Sequence, residues 1–185
     1  MKPDYSYLYK ITCHSTPLQQ DCGKLCGSIC CLQDKSNSLG MYLFPGEEVM
    51  FSGSEEWLRW EKHNPREYDF PKNWTQPVHF INCIKPCPRE QRPLSCRFFP
   101  LAPHIMRDGT LIITYETLSL PYSCPLIGGK ETLQPDFIKT VALAWQELLK
   151  DEKALTLVLE DSRERENDLP KLPPILWIDP STKLY

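Results

Sequence analysis

Eight of the chain's nine cysteines fall into two groups whose spacing points to metal chemistry. Cys22, Cys26, Cys30 and Cys31 lie within ten residues, and Cys83, Cys87, Cys96 and Cys124 follow further along the chain. Thiolates are soft ligands that favour zinc and iron–sulfur clusters over magnesium, calcium or manganese. Four early and four late thiols match two four-thiolate sites in number, and the sequence leaves their grouping open. A site that mixes the groups would tie distant segments together, as metal does in folds with many loops. The four-residue spacing would align Cys22, Cys26 and Cys30 on one side of a helix. Gly23 and Gly27 favour instead a loop or broken helix in which backbone can approach the metal. Neighbouring side chains point apart, so Cys30 and Cys31 are expected to serve two sites or one bridged site.

The metal itself stays open between an iron–sulfur cluster, of the four-iron type, and zinc. No Cys-x-x-Cys pair of the zinc-knuckle kind occurs, which lowers zinc. Cys87-Pro88 and Cys124-Pro125 are similar to the Cys-Pro that follows cluster ligands in ferredoxin-type proteins, which raises iron–sulfur. Arg92 and Arg97 flank Cys96; as cations they would offset the charge of a thiolate site or donate to sulfur, unless they pair with a carboxylate such as Glu90. Cys13 stands outside the eight and reads as a spare thiol. His14, His63, His79 and His104 share no ligand spacing. His104, eight residues after Cys96, has the best case among them for a ligand role.

The bulk of the sequence narrows the setting. At 185 residues, one domain is expected over 1–185, with a cysteine-bearing core at 20–130 and a C-terminal helix and tail, 131–185, packed on it. A net charge of −3 supplies no basic field for nucleic acid or an anionic membrane. No apolar run is long enough for a bilayer, and Met1 to Tyr7 lacks the apolar centre of a signal peptide, so a cytoplasmic protein is expected. Cytoplasmic thiols stay reduced, which favours metal or redox roles over the alternative of a secreted, disulfide-bonded chain. Metal ions are the expected partners, with a protein partner open.

The elements that must position these thiols are short, because 18 prolines punctuate the chain. The pattern predicts a strand at Met41 to Phe44, a short helix from Glu55 to His63, and two strands of one small sheet at Val78 to Ile81 and Leu111 to Tyr115, the latter entered through Asp108-Gly109. Glu47-Glu48 resembles an acidic helix start. Ile138, Val141, Ala142, Trp145, Leu148 and Leu149 recur at helical spacing behind Pro135, predicting a helix over 135–150. Leu155 to Leu159 fits either more helix or a strand, Glu160 to Glu166 a solvated face or loop, and Pro173 to Pro180 an edge strand. Tyr42, Phe44, Trp57 and Trp60 are expected in the core around the thiols. The fold class is α+β: a small, irregular, metal-stapled domain with a short antiparallel sheet and a C-terminal helix.

Cys22 to Cys31, then Cys83, Cys87 and the string Arg92-Pro93-Leu94-Ser95-Cys96-Arg97-Phe98-Phe99-Pro100, resemble the YkgJ-like cysteine-cluster family over roughly residues 20–130. Its members are described as zinc- or iron-chelating proteins, and Cys124-Pro125 stands where that family has a late Cys-Pro element. The resemblance implies a bacterial or archaeal source and a metal-holding role. The first spacing here, three residues between cysteines, is wider than the family's usual two. Related clusters occur in flagellin lysine methylases, so the resemblance also implies an alternative: a cluster-dependent enzyme that modifies a protein side chain.

Overall fold

The computed structural model describes residues 1–31, 40–127 and 131–183. The expected cysteine-bearing core, 20–130, therefore includes stretches outside the described residues. The architecture is α+β, with helices and two small antiparallel sheets.

The N-terminal helix α1, Tyr5–Thr12, starts where the Asp4 side chain accepts from the Tyr7 N–H at 2.9 Å, satisfying a donor that the first turn leaves free. Tyr5, Leu8, Tyr9 and Thr12 are buried, one face of the helix, and that face meets α4, Pro135–Leu148. Pro135 opens α4, where its missing N–H has no consequence. Phe137, Val141, Trp145 and Leu148 then join Leu8, Phe98, Leu111 and Ile113 in the main core. The expected helix over 135–150 is thus present. The chain turns at 149–151 and resumes as α5, Glu152–Asp168, where the Asp151 carboxylate accepts from the Lys153 and Ala154 N–H groups.

The first sheet has the order β1 (Gly40–Tyr42), β3 (Val78–Cys83), β2 (Leu58–His63). The predicted helix at 55–63 is corrected here. Residues 58–63 pair along all of β3, from Leu58 opposite Cys83 to His63 opposite Val78. Trp57 and Leu58 close a small second core with Leu43 and Ile81. The three-residue spacing of Trp57 and Trp60 favours a helix, since a strand turns them to opposite faces, and pairing with β3 overrode it. Aromatic residues are also common in strands.

The second sheet has the order β4 (Leu101–Ile105), β5 (Thr110–Tyr115), β6 (Trp177–Lys183). The segments 78–81 and 111–115 are strands as expected, but of different sheets. Gly109, at φ 83°, makes the turn into β5. The tail adds the edge strand β6, pairing Ile178 with Ile112. The far edge of β4 is closed by α5 rather than by a strand. The Ser162 hydroxyl accepts from the Ile105 N–H at 3.0 Å, and Arg165 donates to the Pro103 carbonyl at 3.2 Å. The charged run 160–166 is therefore only partly solvated, since Ser162 and Arg165 are buried. Among the described residues no helix is long and apolar enough to cross a membrane.

Candidate metal centre

The cysteine-rich loop begins with a single helical turn, α2, Gly23–Cys26, which ends at Gly27 with φ 67°. A side chain at Gly23 would lie 2.2 Å from the Ser28 hydroxyl, so glycine there lets the chain fold back on itself. The segment is thus the broken helix that its glycines predict, and it brings Cys30 and Cys31 toward the rest of the thiols. Cys83 ends β3, Cys87 follows in the next loop, and Cys96 sits on α3, Leu94–Phe98. Tyr122 and Cys124 lie in the loop after β5.

Two cavities collect six of the eight predicted ligands, and Cys26 and Cys124 line neither. One, of about 220 Å³, is walled by Cys30, Cys31, Cys83, Cys87 and Cys96 together with Arg92. A smaller one, of about 50 Å³, has Cys13, Cys22, Cys30, Arg92, Cys96 and Arg97 in its walls. Cys30, Cys96 and Arg92 belong to both. Sulfurs from separate stretches of the chain therefore face common space, and all nine cysteines are free thiols. Among the described residues no three His, Cys, Asp or Glu side chains form a closed metal-binding group as they stand. The thiols are gathered around a space rather than set at bonding distance.

Cys30 and Cys31 depart from expectation, since their sulfurs lie in contact at 3.8 Å rather than pointing apart. The tight turn after Ser28, whose φ is 59°, bends the backbone enough to bring neighbouring side chains together. The contact acts on both thiols. Hydrogen bonding to Cys31, helped by Arg92 and opposed by burial, brings the Cys30 pKa down to about 7. The same bond, with Cys87 and burial, pushes Cys31 up. Cys87 receives hydrogen bonds from Cys31 and Cys83 and, with Arg92 beside it, is held well below the usual thiol range against burial. Its partner Cys83 is raised by the same bond. Cys96 is pushed up by burial, with Arg92 opposing, and its thiol donates to the Met41 sulfur at 3.0 Å.

Arg92 stands among these sulfurs. Burial works against its charge, but Cys87, Cys31 and Cys96 together hold the guanidinium above its ordinary range. Its Nε is buried without a partner, an N–H left free beside sulfur acceptors. That donor set suits an anionic thiolate–metal centre, whose sulfurs accept hydrogen bonds from outer groups.

Arg97 is turned elsewhere. It donates to the carbonyls of Arg92 at 2.5 Å and Glu90 at 2.6 Å, and to the Tyr9 carbonyl and Thr12 hydroxyl at 3.1 and 3.0 Å. Its guanidinium also lies 4.2 Å from the centre of the Tyr9 ring. It therefore fixes the loop that carries Arg92 against α1.

Cys22 and Cys124 pack on the main core, whereas Cys83 and Cys87 pack on the small one. Burial raises the pKa of Cys22, with Cys30 and Cys124 among its charged neighbours. Burial likewise raises Cys124, although the Leu126 and Ile127 N–H groups bond its sulfur; Cys26 and Cys30 also act on it. Tyr122 lines the larger thiol cavity, where burial and then Cys30 and Cys124 raise its pKa.

His104 lies apart, fully buried between β4 and α5, with Nδ1 3.3 Å from Arg165 and Nε2 3.7 Å from Glu166. Of the aromatic residues expected around the thiols, Trp57 and Trp60 flank the small core that also takes Cys83 and Cys87. Phe44 belongs to the main core, and Tyr42 packs against Phe70 and Phe80.

Sequence reasoning missed Glu47. Expected as the acidic start of a helix, it opens a short 3-10 turn, Glu47–Met50, but its side chain is fully buried. It accepts from the Tyr9 hydroxyl and the Leu94 N–H, both at 2.8 Å, and from the Phe44 N–H at 3.0 Å. Leu94 begins the helix that holds Cys96, so Glu47 joins α1 to the thiol site. Only its place after Pro45-Gly46 marked it in the sequence.

Comparison with protein-family models, with curated proteins and with solved structures finds no match to this chain.

Proposed function

We propose that this is a metal-binding protein whose cysteine thiolates hold an iron–sulfur cluster or zinc, as a fold-holding, redox or metal-handling centre. The observation that carries this reading is the cavity walled by Cys30, Cys31, Cys83, Cys87 and Cys96 around Arg92. Five soft donors from separate chain segments around one half-buried cation are unusual for packing alone, whereas a sulfur-ligated ion needs that donor set. The resemblance to YkgJ-like cysteine clusters agrees with it. The test is anaerobic purification followed by iron, zinc and sulfide analysis. A brown protein with iron and sulfide identifies the cluster, and a colourless one that keeps zinc through dialysis identifies zinc. Cys26→Ser and Cys96→Ser should each lower metal content and thermal stability. If both variants match the parent chain in both measurements, the ligand assignment fails.

A second reading, the cluster-dependent enzyme that modifies a protein side chain, is favoured by one feature. A cleft of about 700 Å³ adjoins the thiol cavity, and the two share Gly40, Met41, Ser95, Glu116 and Leu118 in their walls. An enzyme needs such a concave space beside an open coordination position. A spectrum of the loaded protein that shifts on adding a small exogenous ligand would favour it; an unresponsive spectrum would favour a closed, four-thiolate centre.

A further inference from the structure

We propose that the eight cysteines form two abutting four-thiolate metal sites, one of Cys31, Cys83, Cys87 and Cys96 beside Arg92, the other of Cys22, Cys26, Cys30 and Cys124. This rests on the metal-binding reading above and adds the grouping that the sequence left open. The two sets stand on different supports: Cys83 and Cys87 pack against the core of the first sheet, whereas Cys22 and Cys124 pack against the main core. The larger thiol cavity takes Cys31, Cys83, Cys87 and Cys96 but neither Cys22 nor Cys124.

Cys30 and Cys96 lie in the walls of both cavities. A tetrahedral site is complete with four thiolates. The Cys96 thiol is turned to the Met41 sulfur, a wall of the larger cavity and not of the smaller, and so belongs to the first set; Cys30, which shares the smaller cavity with Cys22, then completes the second. The 3.8 Å contact of the Cys30 and Cys31 sulfurs is then the seam between the sites, each sulfur turned to its own ion. Each set joins an early to a late stretch of chain: Cys31 reaches the segment 83–96, and Cys124 reaches back to 22–30. Two such crossings would fasten the loop to both cores.

The sites differ in their outer groups. Arg92, with its buried and unpartnered Nε, stands by the first set. Cys124 in the second accepts from the Leu126 and Ile127 N–H groups. Outer donors of this kind change metal affinity by roughly 10- to 100-fold. Replacing Arg92 by glutamine should therefore weaken the first site about tenfold and the second, of which only Cys22 and Cys30 share a cavity wall with it, by less.

The experiment uses the full, reduced chain with zinc(II) alone as the probe. Zinc is added in steps, free thiols are alkylated, and intact mass followed by fragmentation reports which cysteines were protected together. Two independent sites should give chains with four, then eight, protected cysteines. Fragments of the four-protected chains should carry one or the other of the two sets. If all eight become protected in a single step, or if four-protected chains mix members of the sets, the two-site grouping is wrong while metal binding stands. If no cysteine is protected at any zinc level, the metal-binding reading itself falls. For Arg92→Gln, an equal loss of protection in both sets would remove the assignment of Arg92 to the first.

Discussion

Replacing Glu47 by alanine tests how the thiol site is held in the fold. The carboxylate is fully buried and accepts three hydrogen bonds, from the Tyr9 hydroxyl and the Leu94 and Phe44 N–H groups. Alanine leaves three buried donors without an acceptor, each worth about 1–3 kcal/mol. Relief from burying the carboxylate offsets part of that loss, so the expected net destabilisation is about 2–4 kcal/mol, against roughly 5–15 kcal/mol for a whole domain. Because Leu94 begins α3 and Tyr9 belongs to α1, the loss should also loosen Cys96. Guanidinium unfolding of the parent and variant at equal slope measures it. A change below about 1 kcal/mol would refute the argument that Glu47 joins these elements.

The pH dependence of the same residue has a definite sign. Burial, opposed by the bonds from Leu94, Phe44 and Tyr9 and by Arg97, raises the Glu47 pKa above 4.5. The folded chain keeps the proton where the unfolded chain has released it. The stability this contributes is complete below the ordinary glutamate value and is lost as pH rises through the higher folded value. Relative to Glu47→Gln, which does not titrate, the parent should lose stability from about pH 4.5 upward.

Other outcomes follow from the same geometry. Thiol labelling of the metal-free chain should show Cys30 reacting with a midpoint near its lowered pKa of about 7, ahead of Cys22, whose pKa burial raises; equal rates at neutral pH would count against the Cys30–Cys31 contact. Arg97→Met removes four N–H bonds and the stacking on Tyr9, and should destabilise by about 2–4 kcal/mol in chemical unfolding. Leu148→Ala, at a fully buried core position, should cost about 2–5 kcal/mol, read as a fall in the unfolding midpoint. Asp151→Ala should cost about 1 kcal/mol through loss of the α5 cap, seen as helical circular dichroism lost at lower temperature.

Much of the scaffold could be read from local pattern. The α+β class, the helix behind Pro135, the strand after Asp108-Gly109, the edge strand at the tail and the break near Gly27 all follow from periodicity, proline and glycine, which act within a few residues. What tertiary structure alone decided depended on partners far away in the chain. Residues 58–63 became a strand because β3 lay alongside, a pairing that overrode their helical spacing. The predicted single sheet became two, because pairing between strands is invisible to either strand by itself. Glu47 entered the core because three donors from other segments needed an acceptor there. Arg92 and Arg97 looked equivalent in sequence, yet one faces the thiols and the other binds backbone carbonyls. Which donors are near enough to share a space is a property of coordinates. The cysteine types and counts announced sulfur chemistry by themselves, and only the folded chain set Cys30, Cys31, Cys83, Cys87 and Cys96 around one cavity.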